Sequence, residues 1–178
     1  LNVETLKNSD IKFKNAEYVF NEKFIVRREV EKMSKSKFNV VSPDKICDKY
    51  GADTLRMYEM FLGPLEQSKP WSMDGITGVH NFLKKFWNLF HDESGFNVLD
   101  TKPNENSLKI LHKTIKKVNS DIESFSFNTC VSAFMICVNE LSSLNEKSSL
   151  VLRNLCLLMS PFAPHICEEI WSKFGESD

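Results

Sequence analysis

From residue 73 onward, apolar residues recur at three- and four-residue steps, the spacing of one face of an α-helix. Ile76, Val79, Leu83, Phe86, Trp87 and Phe90 form a wide aromatic stripe that reads as core. Gly95 and Pro103 interrupt the pattern, so residues 91–106 read as a loop. Leu108, Leu111, Ile115, Val118, Ile122 and Phe125 then alternate steps of three and four, a narrow seam suited to antiparallel neighbours. Asn128 stands where it can cap a further helix carrying Val131, Phe134, Met135, Val138 and Leu141. Another runs to Met159 with Leu152, Leu155 and Leu158, and Pro161 and Pro164 break it. A last segment, residues 165–174, turns Ile166, Ile170 and Trp171 inward. The fold class expected is mainly α, an antiparallel helical bundle over residues 73–178.

The first part of the chain has a different pattern. Residues 1–15 are polar, and residues 17–20 and 23–30 read as two strands of a short hairpin. Such a hairpin would hold the basic loop that follows against a larger sheet, which these residues do not themselves supply. Ser42 and Pro43 mark a helix start and Gly51 its stop. Asp53 is placed to cap a second helix over residues 54–62, with Leu55, Tyr58 and Leu62 on one face. Residues 64–72 form an irregular link. The organisation expected is residues 1–41 as the end of a catalytic domain with hairpin and basic loop, 42–72 as a connecting helical segment, and 73–178 as the bundle.

Composition narrows the class. The 178 residues are 42% hydrophobic and 26% charged, enough apolar content for a core. The net charge of −1 means that contact with nucleic acid must come from a local patch. No apolar run is long enough for a membrane span. The five cysteines, Cys47, Cys130, Cys137, Cys156 and Cys167, lack metal-ligand spacing. They read as buried free thiols of a reducing compartment, and no metal site is expected. His80, His91, His112 and His165 each stand alone in sequence and read as surface or core residues. The first residue, Leu1, and the absence of a leader pattern suggest part of a longer protein.

The candidate chemistry lies in Lys32-Met33-Ser34-Lys35-Ser36, flanked by Arg27, Arg28 and Lys37. Serine hydroxyls and backbone N–H groups of such a loop can donate to phosphate oxygens while each ammonium supplies a point charge. Lysine's compact head and flexible stem suit a phosphate that moves during reaction. Lys109, Lys113, Lys116 and Lys117 lie off the helical seam, either as a solvated face or as a phosphate-contacting one.

This loop, with Asn39-Val40-Val41, Pro43-Asp44 and Tyr50-Gly51-Ala52-Asp53-Thr54-Leu55-Arg56, resembles the second signature region of class I aminoacyl-tRNA synthetases. The stretch Met60-Phe61-Leu62-Gly63-Pro64-Leu65-Glu66-Gln67-Ser68-Lys69-Pro70-Trp71 is similar to the leucyl members in particular. Ala133-Phe134-Met135, Asn139-Glu140-Leu141, Ser160-Pro161-Phe162-Ala163-Pro164-His165 and Glu168-Glu169 resemble the family's anticodon-binding helical domain. The resemblance implies a Rossmann-like catalytic domain in a cytoplasmic ligase that joins leucine to ATP (with Mg2+) as leucyl-adenylate and passes the leucyl group to tRNA(Leu).

It also implies residue roles. Lys35, with Lys32 second, would stabilise charge on the transferring phosphates. Residues 32–36, including Met33, Ser34 and Ser36, would form the ATP-binding loop, with Met33 anchoring it. Lys109, Lys113, Lys116 and Lys117 would be the candidate tRNA contacts. Phe38 stands where many members have glycine, so the loop's exit is expected to differ. The 178 residues hold no His-x-Gly-His motif. The expectation is therefore an incomplete ATP site whose partner is the rest of a parent synthetase chain, inactive alone. A free-standing tRNA-binding module, a structural bundle, or a part of an isoleucyl, valyl or methionyl enzyme are the alternatives.

Overall fold

The computed structural model describes residues 31–175. The hairpin expected over residues 17–30 lies outside them. The chain divides into two compact units, residues 1–45 and 46–178, with the boundary inside the first helix.

In the first unit, a 3-10 turn, Lys35–Lys37, sits within the basic loop. The helix α1, Pro43–Tyr50, spans the boundary and begins at the proline, whose missing N–H costs nothing in a first turn. Ser42 precedes it, with its hydroxyl directed at the Asp44 carboxylate at 3.4 Å.

The second unit is a helical bundle: α2, Ala52–Phe61; α3, Ile76–Phe90; α4, Glu105–Glu123; α5, Phe127–Ser143; α6, Ser149–Met159; and α7, Pro164–Ser172. Two short antiparallel strands, β1 (His91–Asp92) and β2 (Gly95–Phe96), pair within the stretch expected to be a plain loop. The Asp92 carboxylate accepts from the Ser94 N–H at 2.8 Å and the Ser94 hydroxyl at 2.6 Å, and that local bonding makes the turn. The remainder of the link is pinned to the turn between α5 and α6. Leu99 N–H donates to the Lys147 carbonyl at 2.8 Å, and Ser149 N–H donates to the Leu99 carbonyl at 2.8 Å.

Helix α5 runs through the centre, packing against α2, α3 and α4, while α6 packs on α7 and α4. Its face of Cys130, Val131, Phe134, Cys137, Val138 and Leu141 is buried. Phe86 and Phe90 of α3 and Leu152 and Leu155 of α6 are also fully buried in this core. The apolar spacing located these helices, and local bonding shifted their details. Asn128 lies inside α5, whose N-cap residue is Ser126. Along α4 the buried line is Ser107, Leu111, Thr114, Val118 and Asp121, one residue off the expected seam at alternate positions. Ile122 is exposed, and Phe125 is 68% exposed in a left-handed turn at φ 55°. Polar Thr114 and Asp121 hold interior positions on that line because each has a bonding role there. Thr114 bonds back to the Ile110 carbonyl at 2.8 Å, and Asp121 accepts from the Thr129 hydroxyl and the Lys117 ammonium, both at 2.6 Å.

Asp53 differs most from expectation. It lies in the first turn of α2, where Gly51, at φ 87° and ψ 153°, is the N-cap residue. Its buried carboxylate instead reaches the start of α7. It accepts from Ile166 N–H at 2.8 Å and His165 N–H at 3.4 Å, and pairs with His165 Nδ1 at 2.8 Å. Arg56, one turn on, donates to the Pro161 carbonyl at 3.0 Å. One helix thus holds both sides of the α6–α7 corner.

Removing that carboxylate with Asp53→Ala should cost roughly 2 kcal/mol of unfolding free energy, the range for a lost helix cap and orphaned donors. Asp53→Asn, which keeps one acceptor, should recover part of it in urea titrations.

Glu146 makes a similar bond set within the α5–α6 turn, accepting from Ser148 N–H at 2.7 Å and Lys147 N–H at 2.9 Å. Burial would raise its carboxyl, but the polar groups of Ser107, Ser148, Lys147 and Asn104 around it outweigh that and hold the group below the ordinary carboxylate value. A depressed folded value means stability that is present above the unfolded value of roughly 4.3 and is lost as pH falls through the folded one. Glu146→Gln should therefore flatten the acid limb of unfolding free energy against pH.

Candidate nucleotide and RNA contacts

The basic loop is latched by its own side chains. Ser34 N–H donates to Asn39 Oδ1 at 2.7 Å, and Asn39 Nδ2 lies 3.4 Å from the Lys32 carbonyl. The Ser34 and Ser36 hydroxyls are 2.8 Å apart. Backbone bonds from Lys37 N–H to Ser34 (3.0 Å) and from Phe38 N–H to Lys35 (3.2 Å) close the 3-10 turn. Phe38 takes φ 54° and ψ 29° at its exit, so phenylalanine occupies the backbone conformation that glycine favours, with its ring 82% exposed. Phenylalanine thus takes the positive φ that it was expected to resist. The turn's backbone bonds hold the left-handed geometry despite the side chain.

Lys37 is paired with Glu31 at 2.9 Å. Lys32 and Lys35 are exposed and make no ion pair among the described residues. The loop therefore presents two uncompensated ammonium groups beside two hydroxyls. Met33 is 42% exposed, so its expected anchoring contact is not fully made within this chain.

On the bundle, Lys109, Lys113, Lys116 and Lys117 are all exposed along α4. Lys117 is engaged with Asp121 at 2.6 Å. The Asp121 carboxyl sits below its ordinary value, since Lys117 and Thr129 together outweigh the effect of burial. Lys109, Lys113 and Lys116 have no ion pair among the described residues, which leaves three uncompensated cations along one helix.

Two histidines that stand alone in sequence come together in space. An open cleft of about 660 Å³ is lined in part by Tyr50, Asp53, His80, Trp87, His165 and Glu169. His80 packs edge-on to Tyr50 with ring centroids 5.7 Å apart, and His165 pairs with Asp53. Sequence spacing gave no hint of this, because the Asp53 and His165 positions are 112 residues apart. His91 stacks on Trp87 at 3.8 Å, one helical turn back. Among the described residues no cluster of His, Cys, Asp and Glu could hold a metal ion, and no helix is long and apolar enough to cross a membrane.

Comparison with known proteins places both regions. Residues 6–71 match the tRNA synthetases class I (I, L, M and V), and residues 104–178 match the anticodon-binding domain of tRNA ligase. The chain is 59% identical over 181 aligned positions to a leucine–tRNA ligase of Flavobacterium psychrophilum, covering 100% of this chain and 19% of that protein. It is 60% identical to one from Christiangramia forsetii, with the same coverage. It thus spans about one fifth of the length of the curated relatives it matches. Among solved structures it is similar to the Agrobacterium radiobacter K84 agnB2 LeuRS in a ternary complex with tRNA and LeuAMS. The TM-score is 0.65 and the identity 28%, over 85% of this chain and 22% of that one. With the loop, the connecting helices and the bundle all aligned in this order, the chain belongs to the leucine–tRNA ligase family of class I tRNA synthetases.

Proposed function

We propose that this chain supplies the phosphate-contacting loop and the tRNA-supporting bundle of a cytoplasmic leucine–tRNA ligase. The substrates of that ligase are leucine, ATP as its Mg2+ complex, and tRNA(Leu). The observation that carries the reading is the loop itself. Among the described residues Lys32 and Lys35 have no acidic partner, and they stand beside Ser34 and Ser36 on a turn latched to itself. The high identity to leucine–tRNA ligases over the whole chain supports the choice of reaction.

In this reaction the leucine carboxylate attacks the α-phosphorus and pyrophosphate departs. Negative charge grows on the phosphoryl oxygens and on the leaving group. Positioned cations that strengthen their hold as charge develops lower the barrier. Lys35 serves as the principal cation and Lys32 as the second. The Ser34 and Ser36 hydroxyls donate to phosphate oxygens, exchanging their mutual bond for bonds to substrate. Met33 spaces the two lysines. The remaining nucleotide contacts belong to the rest of the synthetase, and this chain alone is expected to be inactive.

On the bundle, Lys109, Lys113 and Lys116 meet the tRNA backbone, while Lys117 is held by Asp121 and contributes less. Backbone contact needs charge without base-specific geometry, which suits a lysine row on a rigid helix.

In the full-length enzyme, Lys35→Ala should slow leucine-dependent ATP–pyrophosphate exchange about 100-fold or more with little change in the KM for leucine. A near-normal rate would remove Lys35 from the mechanism. Replacing Lys109, Lys113 and Lys116 together with alanine should weaken tRNA binding. It should also make log affinity less steep against log salt, by roughly 0.7–0.9 for each phosphate that is no longer neutralised. An unchanged slope would make that face a solvated one.

A further inference from the structure

Phe38 stands apart from the other residues at positive φ. Among the described residues, the rest are four glycines, Asn145 and Phe125. Glycine and asparagine enter the left-handed region at little cost, and phenylalanine does not. The Phe125 ring at least finds a partner, packing edge-on to Phe127 with centroids 6.1 Å apart. The Phe38 ring meets no other ring among the described residues and is 82% exposed. Met33 and Val40, on the same loop, are 42% and 48% exposed. One exposed apolar side chain is ordinary on a protein surface. Here a large ring is held at an unfavourable φ between two others, where asparagine or glycine would close the same turn at lower cost. The turn's own folding gives no reason for the ring.

The ring is also tied to the cations through the backbone. Phe38 N–H donates to the Lys35 carbonyl at 3.2 Å. The next residue, Asn39, accepts from Ser34 N–H at 2.7 Å, and its Nδ2 lies 3.4 Å from the Lys32 carbonyl. Whatever grips the ring therefore sets where Lys32 and Lys35 stand.

We propose, on the basis of this loop acting on the ATP phosphates, that Phe38 is a positioning residue whose ring plugs into an apolar socket on the part of the synthetase outside residues 1–178. The curated relatives carry about four fifths of their length outside the aligned part, so there is ample chain to form such a surface. A triphosphate is a poor occupant, because the face of an aromatic ring is itself negative. Apolar protein surface gains from covering the ring. Burial of the ring favours the docked loop, and the bonds from Phe38 and Asn39 pass that preference to Lys35 and Lys32. Phe38 touches no reacting atom. Its effect is on how much of the enzyme holds Lys35 in place.

In the full-length enzyme, Phe38→Asn and Phe38→Gly keep the left-handed turn and remove the ring. A ring without a role would leave leucine-dependent ATP–pyrophosphate exchange unchanged or faster in both. The result expected is a kcat lowered about 10-fold or more, as for loss of a buried phenylalanine contact. The KM for leucine and the thermal midpoint should stay unchanged, and Phe38→Leu should keep most of the rate. Benzoylphenylalanine placed at position 38 and irradiated should cross-link to a peptide from outside residues 1–178. Three outcomes would overturn the proposal: asparagine and glycine variants as fast as wild type, a leucine variant as slow as the asparagine one, or no cross-linked peptide from outside residues 1–178, the label going instead to nucleotide, to tRNA or to this segment. Lys35→Ala, measured alongside, separates the two readings. A near-normal rate there removes the loop from the mechanism, whereas a slow rate there with normal Phe38 variants removes only the socket.

Discussion

A buried carboxylate facing the first turn of a helix governs how this bundle closes. Asp53 is almost removed from water, and a carboxylate so placed is costly unless its lone pairs are filled. The orphan N–H groups at the start of α7 fill them, and the positive end of that helix adds favourable electrostatics. Pro164 opens the helix without an N–H of its own, so the donors available begin at His165. The Ala163 N-cap residue has no side chain able to cap, so α7 depends on a carboxylate from elsewhere in the chain.

The same device recurs at two further helix starts. Glu146 receives the N–H groups of Lys147 and Ser148 just before α6. Asp121, at the end of α4, receives the Thr129 hydroxyl from the first turn of α5. In each case a buried carboxylate fixes the turn between two helices, from a position that an apolar residue could have filled. The bundle gives up some hydrophobic burial at these points and gains fixed register between helices, since a hydrogen-bonded carboxylate tolerates sliding less well than packed methyl groups.

That trade sets the limit on what the sequence discloses. Helix positions follow from apolar spacing, and α3, α5 and α6 bury most of the residues their patterns indicate. The α4 seam is misplaced where Ser107, Thr114 and Asp121 take interior positions, because a pattern of apolar residues cannot register a buried polar one. Asp53 reads as a local cap for the same reason: capping rules consider the next few residues, and its partners lie 112 and 113 positions away. The short β1–β2 pair escapes because two-residue strands have no period to detect. The lysine–serine loop stands out in the sequence by its residue types, but its latch through Asn39 does not, since a single asparagine carries no pattern.

The loop also shows how a site can be ordered without being neutralised. Among the described residues, the bonds that shape it use backbone groups, hydroxyls, Asn39 and the Lys37–Glu31 pair. None of these uses the ammonium of Lys32 or Lys35. Had an acidic residue fixed either lysine, the phosphate would have to displace that carboxylate before gaining any stabilisation. Phe38 is held in a left-handed conformation, which costs about 1–2 kcal/mol for a residue other than glycine.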